Sequence, residues 1–574
     1  MNKTRIFLLS LIAVVLFTAC DDDFLNTQST DLSDDLIWSD PELAEVYILN
    51  LYTSVRLADK EPSKGEGSAG ITRGFHWAMF SSVTDETVYS NDDQTYIIQT
   101  GGMTPSNFGF IGSSWGRNYL GIRECNDALA KIPGLEISDE KKNELMGEVR
   151  FIRAARYFEL LRGYGGAPLI GDVVTGLEDD FSSLYNRATI NETVQYIVDE
   201  LDYAIANLPL KSQQQIGRAS SESAMGYKAR TLLYAASPLF TDGAGNTNGG
   251  LNGGSTTTWQ QAANAADEII ALGRFRLIDD LDADPAENYR LFFLGEDSDE
   301  DLFLRDYNAT SRVFSGLEKM NAPNSMGGWA GNGPMQNFVD DFEMAATGLP
   351  IDDPSSGYDE DNPFVGRDPR FYATVVYDGG PFRGQTIDIT VDAGAGQNLS
   401  RTGYFMRKFI DESSDLNDWD NTGRLTPWRY VRYAEVLLNF AEAQNEAQGP
   451  NAGGATSGLT PLQAVNMVRN RAGMPDLVGL GQSELRDRIR NERRIELFME
   501  EHRYYDVRRW LIAESTEGAT ARKIVRTDTG YDFSQPVDNM GPKAFSIEHY
   551  WLPIPINDIT ISGGALVQNP AYGE

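Results

Sequence analysis

Most of the chain repeats apolar side chains every three or four positions, which is the spacing of one face of an α-helix. The pattern predicts helices over Pro41–Leu57, Trp115–Lys131, Gly147–Arg162, Thr189–Leu208, Ser220–Ala236, Trp259–Leu272, Arg432–Ala447 and Pro461–Arg471. These helices come in successive pairs, and stacked pairs bury their apolar faces on their neighbours. The prediction is a mostly α fold, a tetratricopeptide-like helical superhelix, although the period is too irregular for a clean repeat.

One further predicted helix, Asn491–Trp510, mixes large rings with charges of both signs and reads NERRIELFMEEHRYYDVRRW. A solvated surface helix would carry fewer rings, and an ordinary core helix would carry fewer charges. We therefore expect a helix that other helices contact on several sides, with its charges paired inside the array. Helical spacing predicts three ion pairs: Arg488 with Glu492, Glu500 with Arg503, and Asp506 with Arg509.

Two long stretches lack the helical period. Lys60–Ser114 is rich in Gly, Ser, Asn and aromatic residues, and the chain from about Asp297 to Pro427 carries clusters of Gly, Asn, Asp and Pro. Short β-like runs lie inside the second stretch: Tyr372–Tyr377, Thr386–Val391 and Tyr404–Ile410. Loops this long are usually functional or disordered, and the ring content argues against disorder. The helical scaffold is therefore expected to carry a loop-rich, partly β second lobe.

The N-terminus has the pattern of an export signal. A positively charged start precedes an apolar segment, Ile6–Phe17, that is too short to span a bilayer. The segment ends in Phe-Thr-Ala before Cys20, which resembles a bacterial lipoprotein box; an ordinary signal with a chance cysteine is the alternative. We predict a signal peptide over residues 1–19, lipidation of Cys20, and an acidic, polar tether over residues 20–35.

The net charge limits the classes of binding partner, and the cysteine count limits the disulfide bonds that the chain can form. A formal net charge of −35 opposes binding to nucleic acid and to anionic membrane surfaces, so no nucleic-acid partner is expected. If Cys20 carries lipid, Cys125 has no disulfide partner and is most simply a small buried apolar residue. Because no other segment is long and apolar enough to cross a membrane, the protein is expected to be anchored rather than membrane-spanning.

Blocks along almost the whole chain, in a consistent order, resemble those of one protein family. They are Trp115 with Tyr119 and Asn126, Gly147–Ile170, Gly217–Phe240, Arg367–Phe371, Arg432–Ala447, Val468–Pro475, Glu492–Trp510 and Trp551–Pro555. On these blocks the chain resembles the SusD/RagB family of Bacteroidetes outer-membrane lipoproteins. The resemblance implies one SusD-like body over residues 36–574. Its helical N-terminal part covers 36–275 with a loop insertion at 60–114, and its C-terminal RagB/SusD part covers 276–574.

The resemblance also implies a role. Members of this family capture a nutrient at the cell surface, usually an oligosaccharide or polysaccharide, for a SusC-like TonB-dependent transporter on which they act as a lid. The irregular lobe binds the ligand, and other proteins hydrolyse it, so neither enzymatic activity nor a cofactor is expected. The implied location is the outer membrane, lipid-anchored and exposed at the surface. Capture of peptides in place of sugars is the alternative within the same family.

Aromatic side chains in the loops are the candidate ligand contacts. Sugars pack their C–H faces on Trp and Tyr rings, while polar side chains bind their hydroxyl groups. We select Trp77, Tyr89 and Tyr96 from the first loop stretch and Trp329 from the second. The glycines that flank Trp329 would allow its ring to stand exposed. No family motif covers these positions, so the choice rests on chemistry and location.

A hydrolase is the alternative from another functional class. Gly112–Gly116 formally matches the G-x-S-x-G nucleophile elbow, with Ser114 as the nucleophile and His502 or His549 as the base. The elbow requires a strand, a strained turn and a helix, and no strand–helix alternation surrounds this site. The pattern therefore favours a helical, non-catalytic Ser114.

Metal binding rests on weaker patterns. His502 and Asp506 lie four residues apart and could ligate a metal, but no third ligand is visible nearby. The acidic runs Glu296–Asp301 and Asp415–Asp420 lack the Gly and Glu placement of an EF-hand loop. A structural calcium ion bound by oxygen atoms alone is the alternative that these runs leave open.

Overall fold

The computed structural model describes residues 34–53, 74–91, 95–111, 114–171, 182–241, 253–306, 316–389, 399–417, 426–537, 543–570 and 572. Its α-helices are α1 Asp34–Ser39, α2 Pro41–Thr53, α3 Thr95–Gln99, α4 Ser114–Lys131, α5 Asp139–Tyr164, α6 Ile190–Asn207, α7 Ser221–Ala236, α8 Trp259–Ala271, α9 Pro285–Leu294, α10 Leu317–Asn321, α11 Gln336–Asp340, α12 Pro369–Thr374, α13 Tyr433–Gln448, α14 Pro461–Arg471, α15 Gln482–Glu496, α16 Arg503–Arg509 and α17 Ile556–Ile561. The strands are β1 Thr87–Tyr89, β2 Asp301–Arg305, β3 Asn332–Pro334, β4 Val375–Val376, β5 Pro381–Phe382, β6 Gln385–Thr386, β7 Phe405–Met406, β8 Trp428–Arg432, β9 Val525–Arg526 and β10 Tyr531–Asp532. Short 3-10 helices cover Phe80–Val83, Gly109–Ile111, Ile132–Gly134, Ser182–Tyr185, Lys211–Gln213, Asn324–Met326, Ala513–Thr516 and Ile547–Tyr550.

The long helices form a stack in which each contacts the next. Helices α4 to α8 pack in chain order, α8 then packs on α13, and α13 packs on α14 and α15. This arrangement confirms the mostly α fold and the predicted pairing of α7 with α8 and of α13 with α14. Local capping explains the helix starts: Thr189 and Glu192 form a capping box at α6, and Thr460 caps α14 in front of Pro461.

One hydrophobic core extends from α2 to the C-terminal segment and includes residues from Ala44 to Leu566. Cys125 is a free, fully buried cysteine in this core, as predicted, and burial raises the pKa of its thiol to about 12. The division of the body between residues 275 and 276 stays a prediction. Cys20, the signal peptide and most of the tether lie outside the described residues. Within the described chain, no helix combines the length and apolar character needed to cross a membrane.

The prediction of one continuous helix over Asn491–Trp510 is wrong. Helix α15 ends at Glu496 and α16 begins at Arg503. Between them Met499 and Glu501 have φ angles of 61° and 66°, in the left-handed region that ends a helical path. No glycine marks this break, so the sequence pattern gave no sign of it.

Two buried cations satisfy backbone carbonyls at the break. Lys408 Nζ donates to Phe498 O at 2.7 Å, and Arg432 Nη2 donates to Glu496 O at 2.9 Å. Carbonyls at a helix end have no partner within the helix, so side chains from elsewhere in the chain must supply the hydrogen bonds. These long-range donors are the physical reason that the local pattern was insufficient.

The charges of this segment are paired inside the helical array, as expected, but mostly with other partners. Of the three predicted pairs only Asp506–Arg509 forms, with Oδ1 and Nε 2.8 Å apart. The observed partners of the others are Glu343 for Arg488 (2.8 Å), Asp85 for Arg503 (2.8 Å), and Lys408 and Arg432 for Glu500 (2.7 Å each). The pairs therefore join α15 and α16 to distant segments.

Short antiparallel strand pairs join the non-helical segments of the described chain: β1 with β3, β2 with β8, β4 with β7, β5 with β6, and β9 with β10. The predicted β-run Tyr372–Tyr377 is only partly right, because it begins inside α12 and is extended only at Val375–Val376. The Asp368 side chain accepts a hydrogen bond from the N–H of Arg370, and Pro369 fills the first turn, so a helix starts there. Of the described part of the run Thr386–Val391, only Thr386 belongs to a strand, and residues 390–391 lie outside the described ranges. The run Tyr404–Ile410 forms a strand only at Phe405–Met406.

Candidate ligand-binding site

The loop that carries Trp329 folds back against helix α10. Three backbone hydrogen bonds hold it there: Trp329 N–H to Lys319 O (2.8 Å), Ala330 N–H to Ala322 O (3.0 Å) and Gly331 N–H to Met320 O (2.6 Å). We call residues 327–331 the glycine loop. Because its backbone is tied to a helix, Trp329 is held at a defined position.

The glycines of this loop are required by close backbone approach. A Cβ at Gly328 would lie 2.0 Å from Ala322 O, and one at Gly331 would lie 2.7 Å from Met320 O. Both distances are far below van der Waals contact, so no other residue fits without moving the backbone. The glycines thus serve to seat the loop on α10, and the Trp329 ring is half-buried rather than fully exposed.

Asn332 joins the glycine loop to the segment that carries Trp77. Its side chain is only 1% exposed. Asn332 Nδ2 donates to Trp77 O at 2.8 Å, while Oδ1 accepts from Met79 N–H and Ser82 Oγ, each at 2.8 Å. The strands β1 and β3 also pair here, with Tyr89 opposite Asn332. Asn332 was not selected from the sequence, where its only signal is its place directly after the glycine loop.

These contacts bring together two of the four selected rings. The ring centroids of Trp77 and Trp329 are 6.3 Å apart with an interplanar angle of 53°, and both side chains are half-buried. Trp77 Nε1 is buried and has no hydrogen-bond partner within the described part of the chain. Tilted indoles present apolar faces to a ligand while their N–H edges seek a polar partner. The pair has the chemistry of a sugar platform.

The two tyrosines lie outside this pair. Tyr89 is only 4% exposed because it belongs to β1, whereas Tyr96 in α3 is 49% exposed and points to solvent. The structure therefore brings the rings of Trp77 and Trp329 together, whereas Tyr89 is buried in β1 opposite Asn332 and Tyr96 is exposed on α3. A ligand-contact role for any of the four residues stays a prediction.

Ser114 lies at the first position of α4, beside Asn118. His549 Nε2 is 3.4 Å from Met103 O, and His502 Nε2 is 4.0 Å from Glu435 Oε2. Neither imidazole makes a hydrogen bond to Ser114 among the described residues, and burial lowers the pKa of both. The geometry gives the hydrolase hypothesis no support.

The metal hypotheses gain no support either. Asp506 is bound to Arg493 and Arg509, with Asp506–Arg509 the closer pair, so its carboxylate is already committed beside His502. Asp301, in the first acidic run, pairs with Arg429 at 2.8 Å. Across the ranges that the structure describes, no three His, Cys, Asp or Glu side chains are grouped to hold a metal. Part of the second acidic run, residues 418–420, lies outside those ranges, so calcium stays untested.

Residues 294–572 match the family model described as the SusD family, and residues 66–233 match a model described as starch-binding associating with outer membrane. A SusD-like protein, P38, of Formosa agariphila is 24% identical over 88% of this chain and 91% of its own.

Two solved structures from Bacteroides fragilis NCTC 9343 are similar to nearly the whole molecule. A SusD-like protein aligns with 28% identity and a TM-score of 0.75, covering 94% of this chain and 99% of its own. A SusD-like carbohydrate binding protein aligns with 26% identity and a TM-score of 0.71, covering 92% and 99%. Strand β1 lies within the match to the starch-binding model, residues 66–233, and its partner β3 lies within the match to the SusD family model, residues 294–572. The chain belongs to the SusD family.

Proposed function

We propose that this chain is a cell-surface lipoprotein, anchored to the outer membrane through Cys20, that binds an oligosaccharide or polysaccharide. It then delivers the glycan to a SusC-like TonB-dependent transporter, on which it acts as a lid. The protein binds without catalysis, and hydrolysis belongs to other proteins. The single observation that carries glycan binding is the tilted, half-buried pair of Trp77 and Trp329.

The physical argument rests on preorganisation. A pyranose ring offers an apolar C–H face that packs on an indole, and two indoles at an angle can contact two neighbouring sugar units. Trp329 is tied to α10 through its backbone, and Trp77 is tied to Asn332. Rings already held in place lose little conformational entropy when the ligand binds.

The relatives support a sugar rather than a peptide. One family model is described as starch-binding, and one similar solved structure is described as carbohydrate binding. Association with the outer membrane appears in the same model description and agrees with a lipid anchor at Cys20. Peptide capture is one outcome of the binding screen below.

The test is a binding screen of glycans and peptides with the purified protein, followed by calorimetric titration of Trp77→Ala and Trp329→Ala. Each variant should weaken binding of the cognate glycan about 30-fold, which corresponds to the roughly 2 kcal/mol of a central aromatic contact. Trp38→Ala is the matched control. Trp38 is also half-buried and tilted, at 59° against Tyr47, but it belongs to α1. Its loss should leave the affinity unchanged.

Two results would contradict parts of the proposal. Full affinity in both site variants would remove the ring pair as the binding site. Binding of peptides with no glycan bound in the same screen would favour the peptide alternative. Anchoring and delivery are tested in cells: Cys20→Ser should release the protein from the membrane fraction, and the wild-type protein should co-purify with a TonB-dependent transporter.

A further inference from the structure

A cavity lies in the helical scaffold, apart from the Trp77–Trp329 pair. It has a volume of about 430 Å³ and is formed by α8, α13, α15 and the segment after α16. Its chemistry is set by Trp259, Glu442, Glu446, Arg486, Arg490 and Trp510. None of these elements carries Trp77 or Trp329. The volume falls within the range of roughly 300–1,000 Å³ that is usual for small-molecule sites.

The acids of this cavity already have partners. Glu442 Oε2 accepts from Arg509 Nη2 at 2.7 Å, and Glu442 Oε1 accepts from Trp510 Nε1 at 2.7 Å. Glu446 forms a bidentate ion pair with Arg486: Nε donates to Oε1 at 2.5 Å, and Nη2 donates to Oε2 at 2.6 Å. Each carboxylate in the wall is therefore neutralised by an arginine of its own.

Arg490 is the arginine of the wall that has no carboxylate partner among the described residues, whereas its neighbours in the wall are all engaged. Its guanidinium carbon lies 4.9 Å from the centroid of the Trp510 ring, so the indole holds the group in place by a cation–π contact. Burial lowers the pKa of Arg490, as expected for a cation whose desolvation is not fully compensated.

Trp259 supplies an apolar wall. It occupies the first position of α8, where Thr258 and Gln261 form a capping box that fixes the start of the helix. Its ring is half-buried and lines the cavity together with Ile489. A ring-sized space with one indole wall and one spare guanidinium suits a ligand with an apolar face and a planar anion.

We propose that this cavity binds a uronic acid unit of a glycan. The sugar carboxylate pairs with the Arg490 guanidinium, the C–H face of the pyranose lies on Trp259, and the Glu446 carboxylate accepts hydroxyl groups with its remaining lone pairs. A fork-shaped guanidinium matches the two oxygens of a carboxylate, so the site selects an acidic sugar over a neutral one. This site is additional to the Trp77–Trp329 pair and does not depend on it.

The test compares methyl β-D-glucuronide with methyl β-D-glucoside, which differ only in whether carbon 6 is a carboxylate or a hydroxymethyl group. Calorimetry and saturation-transfer NMR on the purified protein should find the glucuronide bound at least about 10-fold more tightly, as expected for a charge-assisted contact. Arg490→Ala should remove that preference, and Arg490→Lys should retain part of it. Arg490→Gln, which keeps a polar side chain but removes the charge, replaces the alanine variant if thermal unfolding indicates a folding defect.

Three control variants distinguish binding at Arg490 from binding elsewhere on the protein. Arg276→Ala removes an exposed arginine elsewhere and should change nothing. The double variant Trp77→Ala with Trp329→Ala should keep the glucuronide preference, so failure of the first site and failure of this one are distinguishable. Asp242 is the only acid in residues 242–252, and Asp242→Asn should leave the affinity unchanged. If Asp242→Asn bound the glucuronide more tightly than the wild-type protein, Asp242 would be competing with the ligand for Arg490. That result would overturn the proposal.

The proposal is also overturned if the two glycosides bind equally, if the glucuronide does not bind, or if Arg490→Gln keeps the full preference.

Discussion

Replacing Glu496 with Gln tests whether the buried charges at the end of α15 hold the scaffold together. Glu496 is fully buried and accepts hydrogen bonds from Arg432 at 2.6 Å, from Arg370 at 3.0 Å and from Arg471. Burial raises the pKa of this carboxyl, but Arg471, Arg432 and Arg370 outweigh that effect and hold it well below its ordinary value. Glu496 is therefore ionised and lies among three guanidinium groups.

Glutamine keeps the size of the side chain and removes the negative charge. The surrounding arginines then lose a shared, fully buried counter-ion, and removing one partner of a buried pair costs about 3–5 kcal/mol. Because folded domains are stable by only about 5–15 kcal/mol in total, this loss is large.

The assay is urea unfolding followed by tryptophan fluorescence, with Asp280→Asn as the control. Asp280 also pairs with an arginine, Arg276, at 2.9 Å, but its side chain is 61% exposed. An exposed pair contributes about 0–1 kcal/mol, so this variant should unfold near the wild-type midpoint. If Glu496→Gln unfolds at the same urea concentration as Asp280→Asn, the buried network does not stabilise the fold and the reasoning is refuted. At low urea the folded Glu496→Gln protein should bind glycan with unchanged affinity.

Two more predictions follow from buried titratable groups. Burial raises the pKa of Glu86 from 4.5 to about 8, so between those pH values the native state holds a proton that the unfolded chain has lost, and stability falls as pH rises. Glu86→Gln should remove that fall, which approaches about 1.4 kcal/mol per pH unit; equal pH slopes in both proteins by thermal unfolding would contradict it. The Cys125 thiol should react with a thiol reagent at pH 8 only after denaturation, since it is fully buried with a pKa of about 12. Rapid labelling of the native protein would show that the core opens there.

The sequence predicted the parts of this fold that are encoded locally. The bounds of Pro461–Arg471 are reproduced because Thr460 and the proline fix its start. The break between α15 and α16 was missed because it depends on Lys408 and Arg432, which approach from other segments. Most partners of the charged residues were missed for the same reason, since helical spacing reveals only neighbours within one helix.

The candidate site divides in the same way. Ring type and loop location were sufficient to select Trp77 and Trp329, but nothing in the sequence indicated that they meet. Their approach depends on the pairing of β1 with β3 and on Asn332, which contacts Trp77 across 255 positions of the chain. Tyr89 was chosen by the same reasoning and is buried, because a three-residue strand could not be distinguished from a loop.

The Asn332 contact also determines when the site can exist. Contacts between residues far apart in sequence form late, because a long loop must close before they contribute any stability. During synthesis the segment with Trp77 emerges before the glycine loop, so its contact with Asn332 forms only after both segments are present. Ligand binding by the ring pair would thus report that both halves of the chain have folded together.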